Sequence, residues 1–389
     1  MSNHHQQTHK TAKNLDTLAD NAKAVLRAYK DAIHPPSTTK QPVTWPISQA
    51  VEMTGRSRSS LINAEKILGA PPFQKQGMYQ RVYDMSHILA LMDYFGTRPK
   101  FQRTRHLAIT NYKGGVGKSH LSTHLAHYFA KRGYRTLIVD CDSQATATQT
   151  ILGIIPDDDI APEQTLAPLF SGSVTHLEQE VCLQTNWPNL QIIPANLWLL
   201  DADMHARTRQ MDVLLLYHAL DLISDQYDLI IYDTPHTLSH LSMCPLHAAD
   251  MALIPTTPRI PDFTSTVAFL GELSRMAGNG LEIPITRMAM NMVTQERRVT
   301  LNPNEALTSE QKLIQYCRQY YGEWLLDGEM PTSTLIQRLA DEHHTLFESS
   351  IYNATWQRAA KGVIQIANQV EELLTIYDDM EEAIDEQDN

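Results

Sequence analysis

The sequence predicts an α/β fold: a mainly parallel β-sheet flanked by helices, preceded by an α-helical arm and a small helical domain. Three observations point there. From about Arg105, short β-branched runs alternate with helical stretches, a pattern that implies βαβ units around a parallel sheet. A glycine- and lysine-rich bend joins the first of these runs to an apolar helix. The first 105 residues also differ from the rest in charge and periodicity. A chain of 389 residues has room for two or three folded units. With 42% apolar and 20% charged residues, disordered and collagen-like chains are excluded.

The arm comes first, over 1–38. Leu15, Leu18, Ala22, Val25, Leu26 and Tyr29 recur at helical spacing within 11–33. Such a helix serves either as a dimerisation arm or as packing on its own domain. His34-Pro35-Pro36 ends it as a linker. Residues 39–104 read as a compact domain. Ile47, Ala50 and Val51 share one face of a short helix over 46–53, and Thr54-Gly55-Arg56 makes a turn into a second helix over 57–68. Two short helices joined at a glycine fit a helix-turn-helix. Arg56 at the turn and Arg58, Ser59 and Ser60 at the start of the second helix are residue types that contact phosphates and guanine edges from the start of a recognition helix. A hairpin over 73–83, turning at Gly77 and carrying Lys75 and Arg81, reads as a wing, and a helix over 85–94 closes the domain. A plain three-helix packing domain is the alternative. Charge favours DNA: residues 1–105 carry 15 Lys and Arg against 7 Asp and Glu, while the remaining 284 carry 17 against 37. The formal net charge of −12 therefore averages a basic front over an acidic remainder.

The third segment, 105–376, holds the predicted strands: 107–110, 136–140, 190–194, 229–233, 251–255 and 288–293. After the first runs Asn111-Tyr112-Lys113-Gly114-Gly115-Val116-Gly117-Lys118-Ser119-His120, leading into a helix marked by Leu121, Leu125, Ala126 and Phe129. Strand, glycine bend and helix are the context of a phosphate-binding P-loop. Glycines let successive N–H groups face phosphate oxygens at a helix N-terminus whose dipole favours anions. Lys118 supplies charge to the β- and γ-phosphates of ATP, and Ser119 offers its hydroxyl to Mg²⁺. Tyr112 stands where the general pattern G-x-x-x-x-G-K-[ST] has its first glycine, and an extra lysine, Lys113, precedes the Gly-Gly pair. Two apolar strands ending in carboxylates follow: Leu137-Ile138-Val139-Asp140-Cys141-Asp142 and Leu229-Ile230-Ile231-Tyr232-Asp233. A carboxylate at such a place can orient water or hold a hydrated cation.

The variant K-G-G-x-x-K-[ST] is a deviant Walker A box, and over about 105–375 the chain resembles the ParA type of plasmid and chromosome partition ATPases. The resemblance implies a P-loop NTPase fold with weak, Mg²⁺-dependent ATP hydrolysis to ADP. Lys113 would reach across a homodimer to the partner's nucleotide, as an arginine finger does. Asp140-Cys141-Asp142-Ser143-Gln144 resembles the family's D-x-D-P-Q box, with Ser143 in place of proline. Asp142 would then activate the attacking water, Asp140 would lie near the Mg²⁺, and Asp233 would hold hydrated Mg²⁺ from a Walker B strand. Asn291 falls where the family often reads adenine, although an Asn at a strand end also serves as a turn or cap residue. The N-terminal domain resembles the winged helix-turn-helix that larger partition ATPases carry. An operator-binding role with autorepression follows from that, along with ATP-dependent non-specific DNA binding, a ParB-type centromere-binding partner and a nucleoid-associated, cytoplasmic location. Arg338 is the candidate for non-specific DNA contact, with Arg358 and Lys361 secondary; all three are equally consistent with solvated surface cations. A second reading makes the chain a transcription repressor for which nucleotide is a ligand only.

The remaining features exclude more than they add. Residues 377–389 form a clustered acidic stretch that reads as a solvated tail. An acidic C-terminus is repelled by anionic lipid, unlike the basic amphipathic helix of MinD-type relatives, so no membrane partner is expected. No apolar run reaches membrane-spanning length and the polar N-terminus lacks a signal-peptide core. Cys141, Cys182, Cys244 and Cys317 have neither metal-ligand nor disulfide-framework spacing, which suits a reducing cytosol and not a cluster-bridging redox protein. His343-His344 lacks the further ligands a metal site needs and reads as a surface feature.

Overall fold

The computed structural model describes residues 2–33, 40–68, 81–294, 307–349 and 352–388. The chain divides into two units, Met1–Gln41 and Pro42–Asn389. The first contains one helix, α1 (Ser2–Ile33), whose Leu15, Leu18, Val25, Leu26 and Tyr29 are exposed.

The second unit opens with an antiparallel ribbon of β1 (Trp45–Pro46) and β2 (Val82–Tyr83) beside helices α2 (Ile47–Thr54), α3 (Arg58–Leu68) and α4 (Met85–Phe95). Gly55 ends α2 with φ of 64°, a left-handed conformation that glycine adopts without steric cost. Asp84 starts α4 by accepting the His87 N–H at 2.9 Å. Most of the expected wing, Lys75 included, lies outside the described residues. Its last part, β2, pairs with Trp45–Pro46.

The main body is an eight-stranded sheet of β3 (Arg105–Ile109), β4 (Thr136–Asp140), β5 (Leu183–Gln184), β6 (Leu190–Ile193), β7 (Leu229–Asp233), β8 (Met251–Thr256), β9 (Ile285–Thr294) and β10 (Leu325–Thr332), in the order β10-β9-β8-β3-β7-β4-β6-β5. Neighbours are parallel except β5 against β6. Six strands match the expected ones; β5 and β10 have no counterpart. Leu-Leu-Asp-Gly-Glu-Met-Pro-Thr gives β10 neither alternation nor a continuous apolar run, and its proline is tolerated because β10 is an edge strand. The C-terminal helix Ala354–Asp388 fixes it from outside. A Cβ on Gly362 would run into the Glu329 backbone, and one on Gly328 would lie 2.5 Å from the Ile366 nitrogen. Only glycine at both positions allows the helix so close.

The acidic stretch departs from the solvated tail expected from 377. The C-terminal helix continues through it, and Asp378 is 4% exposed. Its Oδ1 accepts from Arg105 Nε at 2.7 Å and also from Nη2, while Arg105 Nη1 reaches Asp250 at 3.3 Å. A buried guanidinium left unpaired would be strongly destabilising, which explains why one acid of the cluster turns inward.

The small domain is joined to the sheet through the helix that follows the glycine bend, α5 (Lys118–Arg132). Near its end, Lys131 Nζ lies 6.0 Å from the Trp45 ring, 5.1 Å from Tyr352 and 5.8 Å from Trp356. Trp45 is fully buried and donates its indole N–H to the Tyr352 hydroxyl at 2.6 Å. Burial lowers the Lys131 pKa to about 8 against the opposing charge of Glu52. Three aromatic rings around one ammonium favour its charged form in the manner of a cation–π site.

Candidate nucleotide site and basic surfaces

Strand register builds the site. Ile109 pairs with Asp233, and Asp233 pairs with Asp140, so β3, β7 and β4 end in one row. The glycine bend leaves β3 at this level and enters α5 with Gly115 at φ 77° and Gly117 at φ 82°. The N-terminus of α5 has no side-chain cap. Its first N–H groups, which lack intrahelical partners, therefore remain as donors for an anion. Lys118 is buried, and its Nζ donates to the carbonyls of Asn111 and Lys113, both at 3.0 Å, across the mouth of the bend. Burial lowers its pKa, and Asp233 and Asp142 oppose that shift.

The two strand-end carboxylates meet different fates. Asp233 is fully buried; its Oδ1 accepts from the Ser122 hydroxyl at 3.0 Å and its Oδ2 makes no hydrogen bond. Burial lifts its pKa to about 7, with Asp142 adding to the rise and Ser119, Ser122 and Lys118 opposing it. An orphaned carboxylate oxygen beside the Ser119 side chain suits a hydrated divalent cation. Asp140, expected near the Mg²⁺, is held by hydrogen bonds on both oxygens. Its Oδ2 accepts from the Thr148 N–H at 2.9 Å and hydroxyl at 2.7 Å, and its Oδ1 from the Asp142 N–H at 3.1 Å. Both oxygens are engaged in holding the loop that carries Asp142. Burial, with the charge of Asp233, raises its pKa well above the carboxylate range. Asp142 accepts the Gln144 N–H at 3.0 Å, and Ala145 turns the chain at φ 53°, a conformation unusual for a residue with a Cβ.

Lys113 is part-exposed, its Nζ 3.4 Å from Asp262 Oδ1 of the same chain. Asp262 in turn accepts from the Thr257 hydroxyl at 2.7 Å. Val116 is buried, while Gly114 and Gly115 are exposed. Gly114 faces the His236 ring, whose atoms would lie 3.6 Å from a Cβ there. His120 is half-buried, 6.5 Å from the His124 ring, and burial lowers its pKa. The Asn291 side chain lies against the bend itself, donating to the Val116 carbonyl at 2.7 Å. Sequence reasoning missed Asn111, whose amide donates to Pro255 O and the Thr266 hydroxyl, both at 2.9 Å, while its oxygen accepts the Lys113 N–H at 3.2 Å. It also missed Thr148 and Ser122; nothing distinguishes either from the other hydroxyls of its helix as the partner of a strand-end acid.

The candidate DNA residues separate into two groups. In the small domain Arg56, Arg58 and Ser59 are exposed, and Arg56 lies 5.5 Å from the Phe95 ring and donates to Phe95 O at 3.4 Å. The Ser59 and Ser60 hydroxyls bond the Ser57 hydroxyl, each at 2.9 Å. Arg81, expected as a wing contact, pairs its guanidinium with Glu65 on α3, which also accepts from Tyr83. Arg338 lines a cleft of about 410 Å³ with Thr334, Leu335, Asn353 and Thr355. Arg358 donates to the Thr355 hydroxyl at 3.4 Å; Arg338, Arg358 and Lys361 are all exposed. Among the described residues, no helix is long and apolar enough to cross a membrane and no His, Cys, Asp and Glu group forms a metal cluster.

Residues 104–269 match the family of AAA domains. A Rhizobium rhizogenes protein named as a replication protein A is 25% identical over 387 residues, covering 92% of this chain and 94% of its own length. Protein SopA of Escherichia coli K12 is 30% identical over 262 residues, or 63% of this chain and 66% of SopA. A solved structure titled a partition protein superposes with a TM-score of 0.60 at 19% identity, over 91% of this chain and 98% of its own.

Proposed function

Because the chain belongs to the ParA-type family of plasmid-partition ATPases, we propose that it works as an ATP-dependent DNA-segregation switch. One observation carries this reading. The strand register sets Lys118, the orphaned oxygen of Asp233 and the loop of Asp142 around the uncapped start of α5. The N–H groups of the bend and Lys118 hold the phosphates of ATP. Asp233 and Ser119 hold Mg²⁺, which when bound neutralises charge on the β- and γ-phosphates. Asp142 accepts a proton-side hydrogen bond from the attacking water and so aims it. Asp140, tied to Thr148, keeps that loop in place.

Two copies close face to face, and Lys113 leaves Asp262 to reach the partner's γ-phosphate, where its charge stabilises the transition state. A lysine paired with its own Asp262 supports the cycle, because hydrolysis then waits for a second subunit. Closure gathers the exposed cations Arg338, Arg358 and Lys361 of two copies for phosphate backbones, a sequence-independent contact. The small domain, through Arg58 and the start of α3, binds the operator and represses its own operon. A ParB-type centromere-binding protein stimulates hydrolysis and releases the DNA. Only a ligand that binds one state better shifts the population, so ATP must favour the closed pair.

The test is ATP turnover measured with random duplex DNA, with and without the candidate partner protein. Stimulation by both together is expected; turnover indifferent to both would defeat the proposal. Asp142→Ala separates the switch from a repressor that merely binds nucleotide. In the switch it cuts turnover by about 10²–10³ and leaves DNA bound after ATP is added; in the repressor, DNA release is unchanged.

A further inference from the structure

The end of β9 grips the phosphate bend more closely than a base-reading residue needs to. Asn291 is 2% exposed. Its Nδ2 donates to Val116 O at 2.7 Å and to Gly117 O at 3.3 Å, and its Oδ1 accepts the Met292 N–H at 2.9 Å. A carboxamide has two N–H donors, so both are engaged on the bend. The fit is tight: a Cβ on Gly117 would lie 2.5 Å from Nδ2. Met292, next in the strand, takes φ of 55°, and its terminal carbon would lie 3.4 Å from that same Cβ.

Peptide planarity gives this contact a consequence. In a trans peptide the carbonyl and the following N–H point in opposite directions. With the Val116 carbonyl drawn towards Asn291 and the Gly117 carbonyl held by the Leu121 N–H at 2.9 Å as well as by Asn291, the N–H groups of Gly117 and Lys118 face the other way, out of the bend. These are the donors a phosphate chain would meet. An amide engaged in this way has no donor left for a purine ring.

We propose that Asn291 is a positioning residue for the phosphate bend, acting alike on every triphosphate, and not a reader of the base. The inference rests on the nucleotide-binding reading above. It is tested by equilibrium binding of ATP, GTP and inorganic tripolyphosphate, each with Mg²⁺, to the full chain and to Asn291→Asp and Asn291→Ala. Both variants are expected to weaken all three ligands by the same factor, about tenfold, with stoichiometry unchanged at one per chain. A merely structural defect would lower the stoichiometry and leave the affinity of the folded fraction alone. Loss confined to ATP, with tripolyphosphate binding intact, would overturn the inference and restore base reading. If Asn291→Asp does not fold, Asn291→Ala carries the same comparison of three ligands. A parent protein that binds none of the three would instead overturn the nucleotide reading and this inference with it.

Discussion

The phosphate end of the sheet and the N-terminal small domain are both rich in charge, yet they use it in opposite ways. At the sheet end, Asp140 and Asp233 are buried in one row of paired strands with Lys118 buried at the start of α5, and Asp233 interacts electrostatically with both. In the small domain the cations lie at the surface, and two of those expected to meet DNA also have partners within the domain, Arg56 at Phe95 and Arg81 at Glu65. Charge buried at a fixed register is committed to a site. Charge on a small domain's surface serves folding first, and a count of Lys and Arg does not reveal which of them remain for a partner.

The largest effect expected concerns how the two regions are joined. Trp45 is fully buried between Lys131, Trp187 and Tyr352, so Trp45→Ala should cost about 3–5 kcal/mol in denaturant unfolding. A cost below about 1 kcal/mol would mean that the domains are not mechanically coupled. Next comes Asp233. Its pKa rises from 3.8 to about 7, so the folded state holds a proton more tightly than the unfolded chain does. The associated stability is complete below pH 3.8 and is lost as pH climbs through about 7. Asp233→Asn should therefore stabilise the ligand-free protein at pH 8 by about 2–4 kcal/mol, show no gain at the acid end, and abolish Mg²⁺-dependent turnover. A stability difference that does not vary with pH would contradict the burial argument.

The smallest effect sharpens the contrast directly. Arg338→Ala should weaken binding to random duplex by about 1 kcal/mol and reduce the salt slope by about one phosphate's worth. Arg58→Ala should leave that slope unchanged and lower operator affinity alone. Equal losses on both DNAs for both variants would mean one DNA surface instead of two.

The same contrast governs what could be read from the sequence. The bend from Lys113 to Ser119 and the acids Asp140 and Asp233 were legible because parallel strands fix where a strand end must lie. That an oxygen of Asp233 stays open while both of Asp140 are engaged was not legible, since that depends on Thr148 and Ser122 in separate helices. Asn291 was found as a residue, with base reading implied by the resemblance; its amide's contact with the Val116 carbonyl was not legible, because a strand end does not show which way a side chain points. β10 was invisible, being defined by the close approach of Gly362 to its backbone and not by its own side chains. Asp378 looked like a tail residue because nothing local announces Arg105, 273 positions earlier.

The two-subunit role of Lys113 is tested most directly by mixing two defective proteins. Lys113→Ala lacks the reaching lysine but keeps its own Lys118; Lys118→Ala is the reverse. Each alone should be nearly inactive. In a mixed pair, one site combines an intact Lys118 with the neighbour's Lys113, so an equimolar mixture should recover up to about a quarter of parental ATP turnover, as random pairing of a symmetric dimer gives. A mixture no more active than either variant alone would show that Lys113 serves the nucleotide of its own chain.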